Sequence, residues 1–404
     1  MNIKITPSKL CGKADAVSSK SYAHRAVIAA ALSEGETDIF LNCFSEDIEA
    51  TVECIKALGA KAEKNEKKGC LRIYPIKNPP QHCSLNAAES GSTARFMLPV
   101  AAALCEEVEL FGRGRLPQRP MTPLLREMAR GGAAANSENI PLKTGGILRG
   151  GEFEIEGNIS SQYITGLLFA LSVCDKKSRI NLLSPLESKG YIDITLDVLE
   201  KFGADIKADE SGFTVYPSKL VSPGEYNVEG DWSNSAFFMV ANALGSNVEI
   251  SGLNEESRQG DRKICDIINL FSEDGNHEID ASDIPDLVPV LSVLALKNNG
   301  ITRIFNAERL RLKESDRIMA VCSSLSALGG DLKETADGII VRGGKALKGG
   351  AASGFCDHRI IMSLAIASTV AESECIIEGA EGVKKSYPDF FEDFARLGGK
   401  INVT

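Results

Sequence analysis

One pattern recurs six times along this 404-residue chain and limits the folds open to it: an amphipathic run, then a small residue or glycine pair, then a short alternating run. It is written at residues 54–62, 125–132, 198–206, 325–332 and 394–401, and in degraded form at 267–279. Each copy reads as a helix closed by a glycine, whose left-handed backbone suits the C′ position, followed by a strand with a period of two. The copies are spaced at roughly 70 residues, with one shorter interval, which predicts a repeated supersecondary unit. An open doubly wound α/β sheet shows the same phrase, but the regular spacing favours the repeat. Six copies divide into two sets of three, and the Pro223-Gly224 turn before Glu225, Tyr226 and Asn227 marks a crossing between two domains. A cleft between such halves is the expected ligand site. No Gly-x-Gly-x-x-Gly follows a strand and no Gly-Lys-Ser/Thr loop occurs, so nucleotide cradles have no motif support.

The balance of 55 acidic and 45 basic residues, a net charge of -10, argues against a nucleic-acid surface and against an anionic-membrane binder. An anionic ligand must therefore be met by local cations. Eleven cysteines stand singly, without a Cys-x-x-Cys pair, and there are four histidines, so neither a zinc site nor a disulfide framework is suggested. Residues 1–6 alternate like a strand and carry no apolar signal core, and apolar runs such as 96–105 are too short to span a bilayer. A cytoplasmic protein is expected.

Cations recur at expected helix starts. Residues 311–317 hold Arg311, Lys313 and Arg317 beside Glu314 and Asp316. On a helix, Lys313 and Arg317 would share one face with Glu314 beside them, bringing an anion site next to a proton-transfer carboxylate. A solvated helix start with an internal salt bridge is the competing account. Lys20, Ser21 and Arg25 lead into the helical stretch 26–32, where hydroxyls, free N–H groups and two cations suit a phosphate or carboxylate, against simple N-capping by serine. Ser90, Gly91 and Ser92 open another helix, with Gly91 letting backbone N–H groups approach an anion. Arg113, Arg115 and Arg119 follow in a loop punctuated by glycine and proline. Ser160, Ser161 and Gln162 precede the apolar helix 164–173, and Ser188 and Tyr191 begin the next one. Asp286 heads the apolar run 288–296, either as a carboxylate tuned for base work or as a helix cap. Arg359 and Lys385 add cations late in the chain, whereas His358 reads as a capped structural histidine.

Taken in order, these segments resemble the EPSP synthase (3-phosphoshikimate 1-carboxyvinyltransferase) family of enolpyruvyl transferases over nearly the whole chain. The resemblance implies a two-domain inside-out α/β barrel built from six repeated βαβαββ-like units with a cleft between the domains. Residues 14–226 would form the N-terminal domain, on the shikimate 3-phosphate side. Residues 1–13 with 227–404 would form a discontinuous C-terminal domain, on the phosphoenolpyruvate side. It places Lys20, Ser21, Arg25, Ser160, Ser161, Gln162, Ser188, Tyr191, Asp286 and Lys313 on shikimate 3-phosphate. Lys20, Gly91, Arg119, Gln162, Arg317, Arg359 and Lys385 fall on phosphoenolpyruvate, and Asp286, Glu314, Lys313 and Lys20 become the catalytic group. Asp286 would take the proton of the attacking 5-hydroxyl, and Glu314 or Lys313 would protonate the methylene carbon. The cations would hold the tetrahedral adduct until phosphate leaves. The resemblance implies no metal or organic cofactor, two small-molecule substrates as partners, no nucleic acid, no membrane, and a monomer. Two residues depart from the family pattern: Glu89 stands where better-known members carry asparagine, and Arg309 where some carry an asparagine that contacts substrate, so Arg309 is left outside the site. The rival readings are a UDP-N-acetylglucosamine enolpyruvyl transferase, whose cysteine the loop 112–120 lacks, and a non-catalytic binder of phosphorylated metabolites.

Overall fold

The computed structural model describes residues 1–404, the side chain of Glu66 excepted. The chain forms two compact units, Met1–Val17 with Gly230–Thr404 (unit 1) and Ser18–Glu229 (unit 2). Unit 2 carries the helices α1 (Lys20–Leu32), α2 (Glu46–Ala57), α3 (Gly91–Leu104), α4 (Thr122–Arg130), α5 (Ser161–Ser172) and α6 (Lys189–Lys201). Unit 1 carries α7 (Trp232–Ala243), α8 (Ile264–Leu270), α9 (Val288–Lys297), α10 (Arg317–Ala327), α11 (His358–Ser368) and α12 (Phe390–Arg396).

The repeat is visible in the sheets. In one complete copy, His82–Asn86 runs parallel to Glu107–Phe111, which pairs antiparallel with Leu142–Gly145, which pairs antiparallel with Ala134–Ala135. The strand–helix–strand–helix–strand–strand order of that copy is repeated from Glu152 to Tyr216 and from His277 to Arg342. The fourth copy, degraded in sequence, has only the parallel pair of Cys11–Asp15 with Asn247–Ser251. The N-terminal strand Asn2–Thr6 belongs to the last copy, where it lies antiparallel between Cys375–Glu378 and Lys400–Val403. Glycine closes the helices where the pattern predicted it: Gly59 (φ 99°) and Gly398 (φ 98°) take the left-handed conformation in the first and last copies.

In unit 2 the helices occupy the interior and the sheets lie outside them. α5 is apolar on almost every side and buried along nearly its whole length, and each of Leu167, Leu168, Phe169 and Leu171 gains about 1.5–3 kcal/mol by leaving water. α3 packs on it closely because of two residues. Pro99 inside α3 has no N–H for the carbonyl of Arg95, and Gly166 of α5 sits against that carbonyl, where a Cβ would come within 2.2 Å. Three local expectations change. α1 takes in Lys20, expected just before a start at the serines, because Ser19 caps it. Lys313 and Arg317 do not share a helix face, since α10 starts at Arg317 behind its cap Asp316 and Lys313 ends a separate 3-10 turn, Glu308–Leu312. Asp286 is not the N-cap of α9, a position Leu287 takes, but lies in the short turn Pro285–Leu287 before it. No helix among the described residues is long and apolar enough to cross a membrane.

Candidate active site

Each unit gathers ionisable side chains at the starts of its helices. In unit 2, Lys20 Nζ lies 2.9 Å from the carboxylate of Asp47 on α2, and both side chains are mostly buried. Arg25, one turn further along α1, is 2% exposed and turns its fork inward. Its Nε donates to Thr195 Oγ1 at 2.7 Å, Nη1 to the Ser21 carbonyl at 2.7 Å and Nη2 to the Tyr191 carbonyl at 2.9 Å. The guanidinium also stands over the Phe96 ring, 4.9 Å from its centre. Burial lowers its pKa to about 10, so it stays a cation at neutral pH. Arg25 thereby fixes the backbone at Ser21 and Tyr191, two residues of the expected substrate set.

The second part of this cluster is built on α3 and α5. Ser90 caps α3, so the first N–H groups of the helix point outward at Gly91 and Ser92. A side chain at 91 would put Cβ 2.5 Å from Arg119 Nη1, so glycine here is a condition for the position of Arg119, which is 5% exposed. Of the three loop arginines only Arg119 is buried; Arg113 is exposed, with its Nε 3.9 Å from Glu89, which gives that unusual carboxylate a cationic neighbour. Gln162 accepts from Arg95 Nη1 at 2.6 Å through Oε1 and donates to Ser92 Oγ at 2.9 Å through Nε2. Arg95 Nη2 and the Tyr163 hydroxyl both donate to the Pro120 carbonyl, at 3.1 and 2.5 Å, which pins the Arg119 loop to α3 and α5. Ser160 caps α5 ahead of the buried Ser161, and Ser188, in the left-handed region at φ 55°, starts α6 with Tyr191 one turn on.

In unit 1 the centre is Asp286. Its Oδ1 accepts from Arg317 Nη1 at 2.9 Å and its Oδ2 from Arg359 Nη2 at 2.8 Å, while Lys313 Nζ is 4.0 Å away. Arg317 is 1% exposed and faces three carboxylates: Nε donates to Asp357 Oδ2 at 2.8 Å, Nη2 to Glu314 Oε2 at 2.7 Å, and Nη1 to Asp286. Burial opposes its charge, but Asp357, Glu314 and Asp286 outweigh that and raise its pKa. The same contest runs the other way at Asp286. Burial would raise its pKa, yet Arg359, Lys313 and Arg317 hold it well below the usual carboxylate range, against the weaker repulsion of Glu314. Asp357 caps α11 and also accepts from Ser315 Oγ at 3.0 Å. Lys385 Nζ donates to the Cys356 carbonyl at 2.9 Å.

The expected residues therefore fall into two groups. Lys20, Ser21, Arg25, Gly91, Arg119, Ser160, Ser161, Gln162, Ser188 and Tyr191 belong to unit 2; Asp286, Lys313, Glu314, Arg317, Arg359 and Lys385 belong to unit 1. Arg309 donates through Nη2 to the Ser282 carbonyl at 2.7 Å. Asp47, Arg95 and Asp357 hold members of the clusters, and the charges of Asp286 and Arg359 act on buried Asp261, but none of the four was among the expected site residues. Arg95 had a local signal, one turn beyond Gly91; the carboxylates had none, because acids at helix starts are ordinary caps.

The two units, built largely of βαβαββ copies, each gather helix N-termini and cations in one cluster. In fold, the chain is similar to the solved EPSP synthase from Acinetobacter baumannii (TM-score 0.81, 24% identity, 100% of each chain covered) and to the enolpyruvyl transferase NikO from Streptomyces tendae (TM-score 0.78, 16% identity, 100% of this chain and 98% of that one). The family model of EPSP synthase (3-phosphoshikimate 1-carboxyvinyltransferase) matches residues 5–394, and the chain belongs to that family. It is 42% identical to the 3-phosphoshikimate 1-carboxyvinyltransferase of Clostridium novyi (strain NT), with 99% of this chain and 98% of the relative covered. It is 44% identical to that of Clostridium perfringens (strain ATCC 13124), with 98% of each covered.

Proposed function

We propose that this chain transfers the enolpyruvyl (1-carboxyvinyl) group of phosphoenolpyruvate to the 5-hydroxyl of shikimate 3-phosphate and releases phosphate. The reaction belongs to the shikimate pathway, which leads to chorismate and the aromatic amino acids. The observation that carries the reading is the carboxylate of Asp286 held in the forks of Arg317 and Arg359, next to Lys313 and Glu314.

Unit 2 takes shikimate 3-phosphate, through Lys20, Ser21, Ser160, Ser161, Gln162, Ser188 and Tyr191, with Arg25 holding the backbone of Ser21 and Tyr191 from behind. Gly91, Arg119 and Gln162 with Lys20 serve phosphoenolpyruvate from the same unit; Arg317, Arg359 and Lys385 serve it from unit 1. The contacts of Asp286 support an order of events. Its charge is met by Arg317 and Arg359, so it is ionised and weakly basic while they hold it. A substrate carboxylate that enters those forks competes for them, and Asp286, losing its partners, becomes a better base for the 5-hydroxyl proton. The hydroxyl oxygen then bonds to C2 of phosphoenolpyruvate while Glu314 or Lys313 gives a proton to the methylene carbon. The cations carry the charge of the tetrahedral adduct until the C2–O bond to phosphate breaks and the methyl group returns a proton. The protein acts as a monomer in the cytoplasm.

A coupled phosphate-release assay tests the function: release must require both phosphoenolpyruvate and shikimate 3-phosphate. Release with UDP-N-acetylglucosamine as the acceptor instead, or binding of both substrates without release, would sink the proposal. Undiminished turnover of an Asp286→Ala variant would remove the base assignment alone.

A further inference from the structure

One buried titratable group of unit 2 has no part in the chemistry above. His24, on α1 one turn beyond Lys20, is 1% exposed and has Nδ1 2.7 Å from Thr51 Oγ1 on α2. Thr51 Oγ1 is 2.8 Å from Thr93 Oγ1 on α3, and Thr93 Oγ1 donates to Ser90 Oγ, a further 2.8 Å on. Ser90 is the cap of α3, accepting the N–H of Thr93 at 3.2 Å, and Gly91 follows it directly. The Asp47 carbonyl oxygen stands beside both hydroxyls, 3.4 Å from Thr51 and 3.3 Å from Thr93, a more distant acceptor competing for the same two protons, and the Asp47 carboxylate holds the Lys20 ammonium at 2.9 Å.

Thr51 and Thr93 are fully buried and Ser90 is 1% exposed, so the chain runs through the interior across three helices. Apolar side chains of the same volume would fill that space without the cost of desolvating polar groups, whereas a fully connected polar chain fixes one relative placement of the helices. The chain also has a direction. Each hydroxyl has one proton to give. Since Thr93 donates to Ser90, it accepts from Thr51, which accepts in turn from Nδ1 of His24; Nε2, buried with no hydrogen-bond partner, is then a bare lone pair. The reverse direction would bury an unpaired N–H at Nε2, the costlier choice. The surroundings keep the ring uncharged. It meets the Phe96 ring edge-on at 6.3 Å, and burial, then Lys20, then Arg25 push its pKa well below the usual imidazole range.

We propose that the His24–Thr51–Thr93–Ser90 chain is a positioning relay for enolpyruvyl transfer, which sets the head of α3, with Gly91 and the adjoining Arg119, relative to Lys20, and in which His24 serves as an uncharged Nδ1–H donor. The proposal rests on the reading that Lys20, Gly91 and Arg119 serve phosphoenolpyruvate.

The test uses the full chain. Thr51→Val keeps the side-chain shape and cuts the middle link, and it is expected to raise KM for phosphoenolpyruvate about tenfold with an unchanged circular-dichroism spectrum. Thr51→Ser, which restores the hydroxyl, is expected to return KM close to the parent value, something a purely space-filling role would not produce. Separately, nitrogen NMR of the imidazole in the parent protein, assigned by the signal lost in His24→Asn, is expected to show a protonated Nδ1, a bare Nε2 and no titration between about pH 5.5 and 8. A valine variant with parental KM, equal KM shifts in the valine and serine variants, or a ring that titrates normally or carries its proton on Nε2 would each overturn the relay. A parent protein that released no phosphate would fail the functional reading instead, and the NMR result would still decide the relay.

Discussion

Asp286 illustrates how neighbours decide what a carboxylate does. Its position at the head of an apolar run allows a cap or a base; Leu287 takes the cap position of α9, and both Asp286 oxygens accept from arginines. Asp286→Asn keeps the shape but gives up the proton acceptor. We expect kcat to fall by ~100-fold or more while KM for phosphoenolpyruvate stays level or drops, because Arg317 and Arg359 are released to the substrate; steady-state kinetics with phosphate detection checks this. Asp261 is the counterpart. It is 5% exposed, and burial, then the charge of Asp286, raise its pKa to about 7 in spite of Arg359. In the unfolded chain it releases its proton near 3.8, so between about pH 4 and 7 the folded protein binds more protons and Asp261 subtracts stability as pH rises, by at most ~1.4 kcal/mol per unit. Asp261→Asn should flatten that decline, which urea denaturation at pH 5 and pH 7.5 would measure. Equal slopes in parent and variant would count against the assignment. Lys20 and Arg359 were legible because cations beside helix starts are conspicuous, and Arg119 because three arginines crowd one loop punctuated by glycine and proline. Asp47, Asp357 and Asp261 were not, because what they bind comes from distant parts of the chain.

At the scale of elements, the sites depend on how helices begin. Ser19, Ser90, Ser160, Asp316 and Asp357 each cap a helix whose first turn carries a residue of the candidate site. These starts were readable where a hydroxyl stood before an apolar run, as at Ser160. At α1 the expected start at the serines was one residue late: Lys20, read as lying just before the helix, is its first residue, with its charge met by Asp47, and Arg25 stands one turn in as expected, its Nε donating to Thr195. Gly91→Ala tests one such start. The new Cβ would meet the Arg119 guanidinium at 2.5 Å, and since that group is the end of a flexible side chain it gives way rather than the helix. We expect KM for phosphoenolpyruvate to rise at least ~10-fold with a change of no more than a few degrees in Tm. A large fall in Tm with unaltered KM would show that Gly91 serves packing alone.

At the scale of the molecule, the last copy of the repeat is closed by the first strand of the chain. Asn2–Thr6 is an inner strand of its sheet, and Ile3 and Ile5 are buried. Removing residues 1–6 exposes both isoleucines' partners and leaves Lys400–Val403 without a neighbour, so unit 1 should lose protection. We expect faster hydrogen exchange at 375–378 and in α11, while α3 and α5 of unit 2 keep theirs. Uniform loss across both units would mean that they do not unfold independently.

The sequence by itself determined that a phrase of helix, glycine and strand recurs six times, and most of the places where cations gather near helix starts. These are local properties, set by hydrophobic period, capping hydroxyls and glycine backbone, and they need no knowledge of distant neighbours. Tertiary structure alone decided which carboxylate meets which cation. It put Asp286 between Arg317 and Arg359, Asp47 on Lys20, and His24 at the end of a hydroxyl chain, because a side chain's charge and basicity depend on burial and on the groups a few ångströms away, wherever those lie in the chain.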